Sequence, residues 1–294
     1  YIVEDRVIDT KRLNFNSVFN TSIGNHVEMT GGLSMQSQNN NYYKEVNDLL
    51  GGEFYVNLNQ FAERDFPANP SAGQNNILKP NQILYKGDKF GYDYDIDIRK
   101  SSAWLQSVFK FNKFDYFVAA EISNTQFWRF GRNQNGLFPN NSYGKSDVQN
   151  FNNFSVKGGI TYKINGRNYM YINGAAISRA PLFDNVFLSP RTRDFVQDNI
   201  TSEKITTVEG GYVLNAPKIK ARISGYYTKF DDGMNVMTFY HDDYRNFVNY
   251  ALSNIDKLHF GGELGIEARV IKNVTINAAA AIKPGCSLAL AFLM

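Results

Sequence analysis

Leu258-His259-Phe260-Gly261-Gly262-Glu263-Leu264-Gly265-Ile266-Glu267-Ala268-Arg269-Val270 is the stretch that decides how this chain folds. Phe260, Gly262, Leu264, Ile266, Ala268 and Val270 share one parity; His259, Gly261, Glu263, Gly265, Glu267 and Arg269 share the other. Successive side chains of a strand point to opposite faces, so one face is apolar and the other charged. A strand placed between hydrocarbon and a wet lumen is written in this way.

The alternation continues on both sides of that stretch. Ile219, Ala221, Ile223 and Tyr227 oppose Lys218, Lys220, Arg222, Ser224 and Thr228; further back, Val156, Ile160, Tyr162 and Ile164 oppose Ser155, Lys157, Thr161 and Lys163. Counting alternations and turns gives about ten strands: 11–23, 26–37, 89–111, 114–128, 153–164, 168–179, 204–214, 218–231, 258–270 and 273–282. Within 89–111 the apolar parity changes, from Phe90, Tyr92, Tyr94, Ile96 and Ile98 to Ala103, Leu105, Phe109 and Phe111. That phase slip predicts a β-bulge near Lys100 to Ser102.

What joins the strands is asymmetric. With 89–111 as one strand, the short turns Gly24-Asn25, Asn112-Lys113, Asn165-Gly166, Ala216-Pro217 and Lys272-Asn273 all fall at one end. The long polar loops 38–88, 129–152, 180–203 and 232–257 fall at the other. Short periplasmic turns and long exterior loops are the outer-membrane habit, and Asn-Gly is the strongest hairpin dipeptide. A soluble sandwich or propeller with one wet face would also alternate. Against it, Glu28, Glu121, Lys157, Lys163, Glu209, Lys220, Arg222, Glu263, Glu267 and Arg269 all take the lumen parity. A Lys or Arg at the lipid midplane would cost ~2–4 kcal/mol. No repeat of about 40–50 residues marks propeller blades.

Composition narrows the class further. The 294 residues are 15% aromatic and no apolar run approaches the ~20 residues of a spanning helix, whereas barrel strands need only ~9–11. The net charge of +3 comes without a Lys/Arg cluster, so nucleic acid is not an expected partner. The lone Cys286 cannot form an internal disulfide. It lies in Lys283–Met294, which reads unlike the rest, so the expected division is a barrel domain 1–282 and an atypical stretch 283–294. The chain opens on Tyr1-Ile2-Val3-Glu4-Asp5 without a signal peptide, which suggests a piece of something longer, since a barrel is exported.

Several loops and strand junctions carry a resemblance. They are Asp48-Leu49-Leu50-Gly51-Gly52, Gln60-Phe61-Ala62-Glu63-Arg64-Asp65-Phe66, Lys86-Gly87-Asp88-Lys89-Phe90-Gly91-Tyr92 and Ser142-Tyr143-Gly144-Lys145-Ser146 in the first half. In the second half they are Tyr162-Lys163-Ile164-Asn165-Gly166-Arg167, Ser189-Pro190-Arg191-Thr192-Arg193-Asp194, Phe247-Val248-Asn249-Tyr250 and Gly261-Gly262-Glu263-Leu264-Gly265-Ile266-Glu267. In order and spacing these resemble the barrel of a TonB-dependent outer-membrane receptor of the Bacteroidota type, up to about Ile282. The resemblance implies an antiparallel barrel of about 22 strands around a plug. It also implies a TonB-contacting segment and uptake of a bulky nutrient ligand across the bacterial outer membrane. About half the strands are expected here, with neither plug nor TonB-contacting segment. A half-sheet has two open edges that hydrocarbon does not tolerate, so this piece alone is not expected to transport. A passive porin or a surface adhesion barrel is the alternative.

No catalytic constellation stands out: His26, His241 and His259 are scattered and sit in no metalloprotease or triad setting, so an enzyme is not expected, nor a cofactor. Asp93, Asp95 and Asp97 share a strand face at ~6.6 Å spacing and are candidate ligands for a hard cation, weighed against an Arg- or Lys-paired acidic face. Phe127, Trp128, Arg129 and Phe130, where a strand enters a loop, and Phe239, Tyr240, His241 and Tyr244, inside another, are the candidate ligand contacts. Rings and guanidinium groups suit stacking on a sugar, chelator or peptide; an aromatic girdle is the competing use. Gly-Gly pairs at 31–32, 158–159, 210–211 and 261–262 predict bulges or close aromatic packing inside strands.

Overall fold

The computed structural model describes residues 1–242, 246–283 and 289–293; Tyr244 and Cys286 lie outside the described residues. In chain order the elements are β1 (Val3–Ile23), β2 (Val27–Asp48), β3 (Tyr55–Val56), α1 (Gln60–Asp65), β4 (Ile83–Leu84), β5 (Lys89–Lys110), β6 (Phe114–Gly131) and β7 (Gly144–Lys145). They continue with β8 (Gln149–Asn165), β9 (Asn168–Arg179), α2 (Phe183–Val186), β10 (Glu203–Asn215), β11 (Ile219–His241), β12 (Asn246–Ile271), β13 (Val274–Ile282) and β14 (Ala289–Leu293). One antiparallel sheet runs in the order β1-β2-β5-β6-β8-β9-β10-β11-β12-β13-β14, with β7 added to β6; β3 and β4 form a separate pair. The ten expected strands are all present, and 89–111 is one strand, β5.

Residues paired across an antiparallel ladder share a face, so the register assigns sides. Leu13, Leu33, Leu105, Ile122, Ile223 and Leu264 fall on the outer face. The exposure of Leu13 (74%) and Ile122 (68%) is typical of it. Leaving about ten such side chains in water would forfeit ~15–30 kcal/mol of burial, more than the ~5–15 kcal/mol that holds a domain together. Across the belt the inner face carries the charges, many of them paired across strands. Lys220 Nζ lies 3.0 Å from Glu267, Arg222 Nη2 2.7 Å from Glu209, and Lys163 Nζ 2.7 Å from Asp115.

The bulge expected near Lys100–Ser102 is absent: Lys100, Ser101 and Ser102 pair in unbroken register with Gln36, Met35 and Ser34 on one side and with Thr125, Asn124 and Ser123 on the other. The apolar letters change parity because the partner changes. Leu105 and Phe109 lie on the outer face, whereas Tyr94 and Ile96, nearer the long loops, turn inward against a core with Phe127, Phe151, Phe183, Val186 and Phe187.

The Gly-Gly pairs do not bulge either. On the inner face a Cβ at Gly159 would meet the Phe117 ring at 2.7 Å, one at Gly211 the Tyr171 ring at 2.8 Å, and one at Gly261 the Tyr226 hydroxyl at 2.9 Å. Close aromatic cover is the realised use of these glycines.

Several strands run far beyond their expected ends. β2 continues to Asp48, and β11 and β12 continue through most of the expected loop 232–257, so that β12 alone has 26 residues against the ~9–11 of a membrane crossing. The β11–β12 ladder absorbs its irregularity at shifts between Phe230 and Gly233 and between Gly233 and Asn235, where Asp232 has φ +60°. The Asn165-Gly166 turn is offset by one residue. Asn165 pairs with Asn168, and its side-chain oxygen accepts from the Arg167 and Asn168 amides, leaving Gly166-Arg167 at the tip.

Candidate functional site

At the long-loop end the inner wall is built by β2, β5, β6 and β8, and the 180–202 segment folds down onto it. The sequence drives this inward fold. Phe183, at the start of α2, and Phe187, just past its end, stack at 4.5 Å, and Phe127 meets Phe183 edge-on at 5.8 Å and stacks on Phe151 at 5.6 Å. Arg129 fixes the segment from beneath. Its Nε donates to the Pro190 carbonyl at 2.6 Å, its Nη1 to the Ser142 carbonyl at 2.8 Å, and its guanidinium lies over the Tyr94 ring at 5.3 Å. Burial draws the Arg129 pKa down to about 10, which leaves it charged at neutral pH. Burial raises Tyr94, Tyr42 and Asp194.

Between this segment and the wall lies a cavity of about 830 Å³ reaching Tyr42, Tyr92, Tyr94, Arg191 and, on β11 and β12, Thr238 and Asn249. Asn249 donates to the Leu188 carbonyl and Asn185 to the Met234 carbonyl at 2.9 Å, so the segment is tied to β11–β12 as well. A second cavity of about 370 Å³ adjoins it, sharing Arg6, Tyr92, Arg191 and Thr192. Tyr42 and Tyr94 stack at 5.2 Å, and Arg191 lies over Tyr92 at 5.5 Å. Lys44 lies 2.8 Å from Glu4 and 5.8 Å from the Tyr92 ring. Burial pushes the Glu4 carboxyl up, but hydrogen bonds from Lys44 and Arg6 outweigh it and leave the pKa below the usual value. The vestibule therefore offers aromatic faces, tyrosine hydroxyls and guanidinium groups, a set suited to stacking and to binding oxygen-rich or anionic groups.

The candidate residues divide by parity. Phe127 and Arg129 face inward and are buried in the wall; Trp128 and Phe130, paired with Asp97 and Asp95, face outward. Phe239 lies 6.1 Å from Tyr250 and 6.3 Å from His241 near the end of the β11–β12 hairpin, on the face opposite Thr238, whereas Tyr240 shares the parity of Thr238. Asp93, Asp95 and Asp97 line the outer face. Asn41 donates to Asp93 and Asp95 at 2.8 Å, Asn39 donates to Asp97 at 3.1 Å, Arg132 Nη2 lies 2.5 Å from Asp95 and Lys89 Nζ 3.3 Å from Asp93. Among the described residues no three His, Cys, Asp or Glu side chains form a metal-binding group. Tyr42 and Arg6 carry no signal in the sequence, and Arg191 only its place in Ser189–Asp194. Tyr92 and Tyr94 share a parity in the sequence, but the pairing of Tyr94 with Tyr42 is set across a 40-residue connection that no local pattern reads.

A continuous antiparallel sheet with an apolar outer face, a charged inner face, short turns at one end and long loops at the other defines part of a transmembrane β-barrel. The family model "TonB dependent receptor-like, beta-barrel" matches residues 6–283, and the chain belongs to that family, whose barrels sit in the outer membrane of Gram-negative bacteria. Among solved structures it is similar to the copper transporter OprC (TM-score 0.67, 13% identity, 94% of this chain and 38% of that one). It is also similar to the ferric citrate transporter FecA in its unliganded form (0.62, 10%, 98% and 36%) and to the FrpB iron transporter of Neisseria meningitidis (0.58, 13%, 94% and 35%). At these identities the likeness is one of fold, and the chain spans little more than a third of each. These matches are transporters rather than enzymes. No curated protein matches the sequence.

Proposed function

We propose that this chain is part of the barrel of an outer-membrane, TonB-dependent receptor that imports a bulky nutrient, and that the vestibule under the 180–202 segment meets the ligand first. The observation that carries the reading is that this segment folds inward, leaving cavities of about 830 and 370 Å³ lined by tyrosines and arginines. The long loops face the cell exterior and the short turns the periplasm, as in other barrels of this kind. β1 and β14 each pair with one neighbour among the described residues, so further strands complete the wall in the intact receptor. A plug and a TonB-contacting segment belong to the same intact protein in this reading. The order of the loop segments supports a receptor of the Bacteroidota type. Planar-bilayer recording on the intact receptor tests the import mechanism. A plugged receptor holds no steady open conductance, whereas steady ohmic conductance would instead support the passive porin.

A further inference from the structure

On the outer face β2, β5, β6 and β8 enclose a groove of about 590 Å³. Its floor is Ser101 and Ala103. Ser101 is paired with Met35 and Asn124, and Ala103 with Leu33 and Ile122, so small side chains run between large ones. Phe154, paired with Ile122, completes the far wall. These four large side chains are all more than half exposed.

One step further along β5, on the same face, stands Arg99, ~6.6 Å beyond Ser101. Its guanidinium lies 5.0 Å from the Trp128 ring, and Lys145 Nζ lies 4.5 Å from the same ring. Neither cation has a carboxylate partner among the described residues: Asp93 and Asp95 are held by Lys89 and Arg132, and Asp97 accepts from Asn39. The height is appropriate as well. From Lys110 at the short-turn end, a strand tilted ~40° climbs roughly 28 Å by Arg99, close to the ~25 Å apolar band of such barrels. Two unpaired cations on one indole thus sit at the upper rim of an apolar trough.

We propose that this groove is a lipid site, taking one anionic, phosphate-bearing lipid of the outer leaflet. An acyl chain lies over Ser101 and Ala103, and the phosphate bridges Arg99 and Lys145. The missing counter-charge selects the occupant, because a zwitterionic headgroup brings its own cation to the same place. The site rests on the outer face meeting lipid, and the test separates the two.

Native mass spectrometry of the intact receptor, released from detergent with equal phosphatidylglycerol and phosphatidylcholine, reads both classes of adduct. Phosphatidylglycerol is expected to be retained preferentially. That preference should fall about 5-fold in Arg99→Gln or Lys145→Gln and about 25-fold in the double variant, at ~1 kcal/mol per cation. Lys229→Gln, an outward cation on β11 five strands away from β5 along the sheet, should leave it unchanged. Equal retention of both lipids, or an equal fall with Lys229→Gln, would overturn the site while leaving the lipid-facing wall intact. A receptor that carries neither lipid would overturn the wall assignment itself.

Discussion

The Arg129 guanidinium sits where two segments meet, donating to Pro190 in one and to Ser142 in the other while stacked on Tyr94. Removing it leaves two carbonyls without their donor, at ~1–3 kcal/mol each if they stay buried. Arg129→Met is therefore expected to raise the rate of limited proteolysis within 132–148 and 180–202 by about 10-fold or more, with the barrel's own heat stability unchanged. Unchanged protease resistance would contradict the role given to Arg129. The sequence marked Phe127 to Phe130 as one cluster because the letters are contiguous. In a strand, contiguous residues are divided between faces, and here Phe127 and Arg129 build the inner wall while Trp128 and Phe130 look outward. Parity was legible at that position, but what lay on each side was not, because the 180–202 segment that covers the inner face is separated from it by some 50 residues of chain.

At the scale of elements, the half of each strand nearest the short turns was readable. There the outer face demands apolar side chains and the inner face tolerates charge, which is the strictest alternation a sequence can carry. Beyond the belt that demand ends. Gln38-Asn39-Asn40-Asn41 is polar on both faces, so β2 reads as a loop although it pairs with β1 and β5 almost to its end. Gly233 and Asn254 look like loop residues and instead sit at irregularities of the β11–β12 hairpin, Asn254 with φ +56°. Across the belt the two faces should respond unequally. Leu264 pairs with Ile223 on the outer face, and Glu263 pairs with Ser224 on the inner one. Leu264→Arg or Ile223→Arg is expected to impair assembly by ~2–4 kcal/mol, whereas Glu263→Ala should be nearly silent. Heat-modifiability gels of membrane fractions read the difference, and equal mobility shifts for both kinds of variant would contradict the assignment of faces.

For the whole molecule, the fold class and the asymmetry of its ends followed from turns and alternation, while the inward fold of 180–202 and the vestibule beneath it required tertiary contacts far apart in sequence. The sheet's two ends differ in every connection: Asn112-Lys113 and Lys272-Asn273 close tight turns at one, and 49–88, 132–148 and 180–202 gather at the other. If the outer face meets lipid, that difference must also be a difference of compartment. Single cysteines in a Cys286→Ser background test this on living cells. Ala68, Tyr143 and Asp242 are exposed at the long-loop end, and Lys113 and Lys272 at the short-turn end. Cysteines at the first three positions are expected to react with an impermeant maleimide on intact cells, and those at Lys113 and Lys272 only after the outer membrane is opened. Labelling at Lys113 or Lys272 on intact cells, with Ala68, Tyr143 and Asp242 protected, would contradict the topology and with it the vestibule's place as the first contact for ligand.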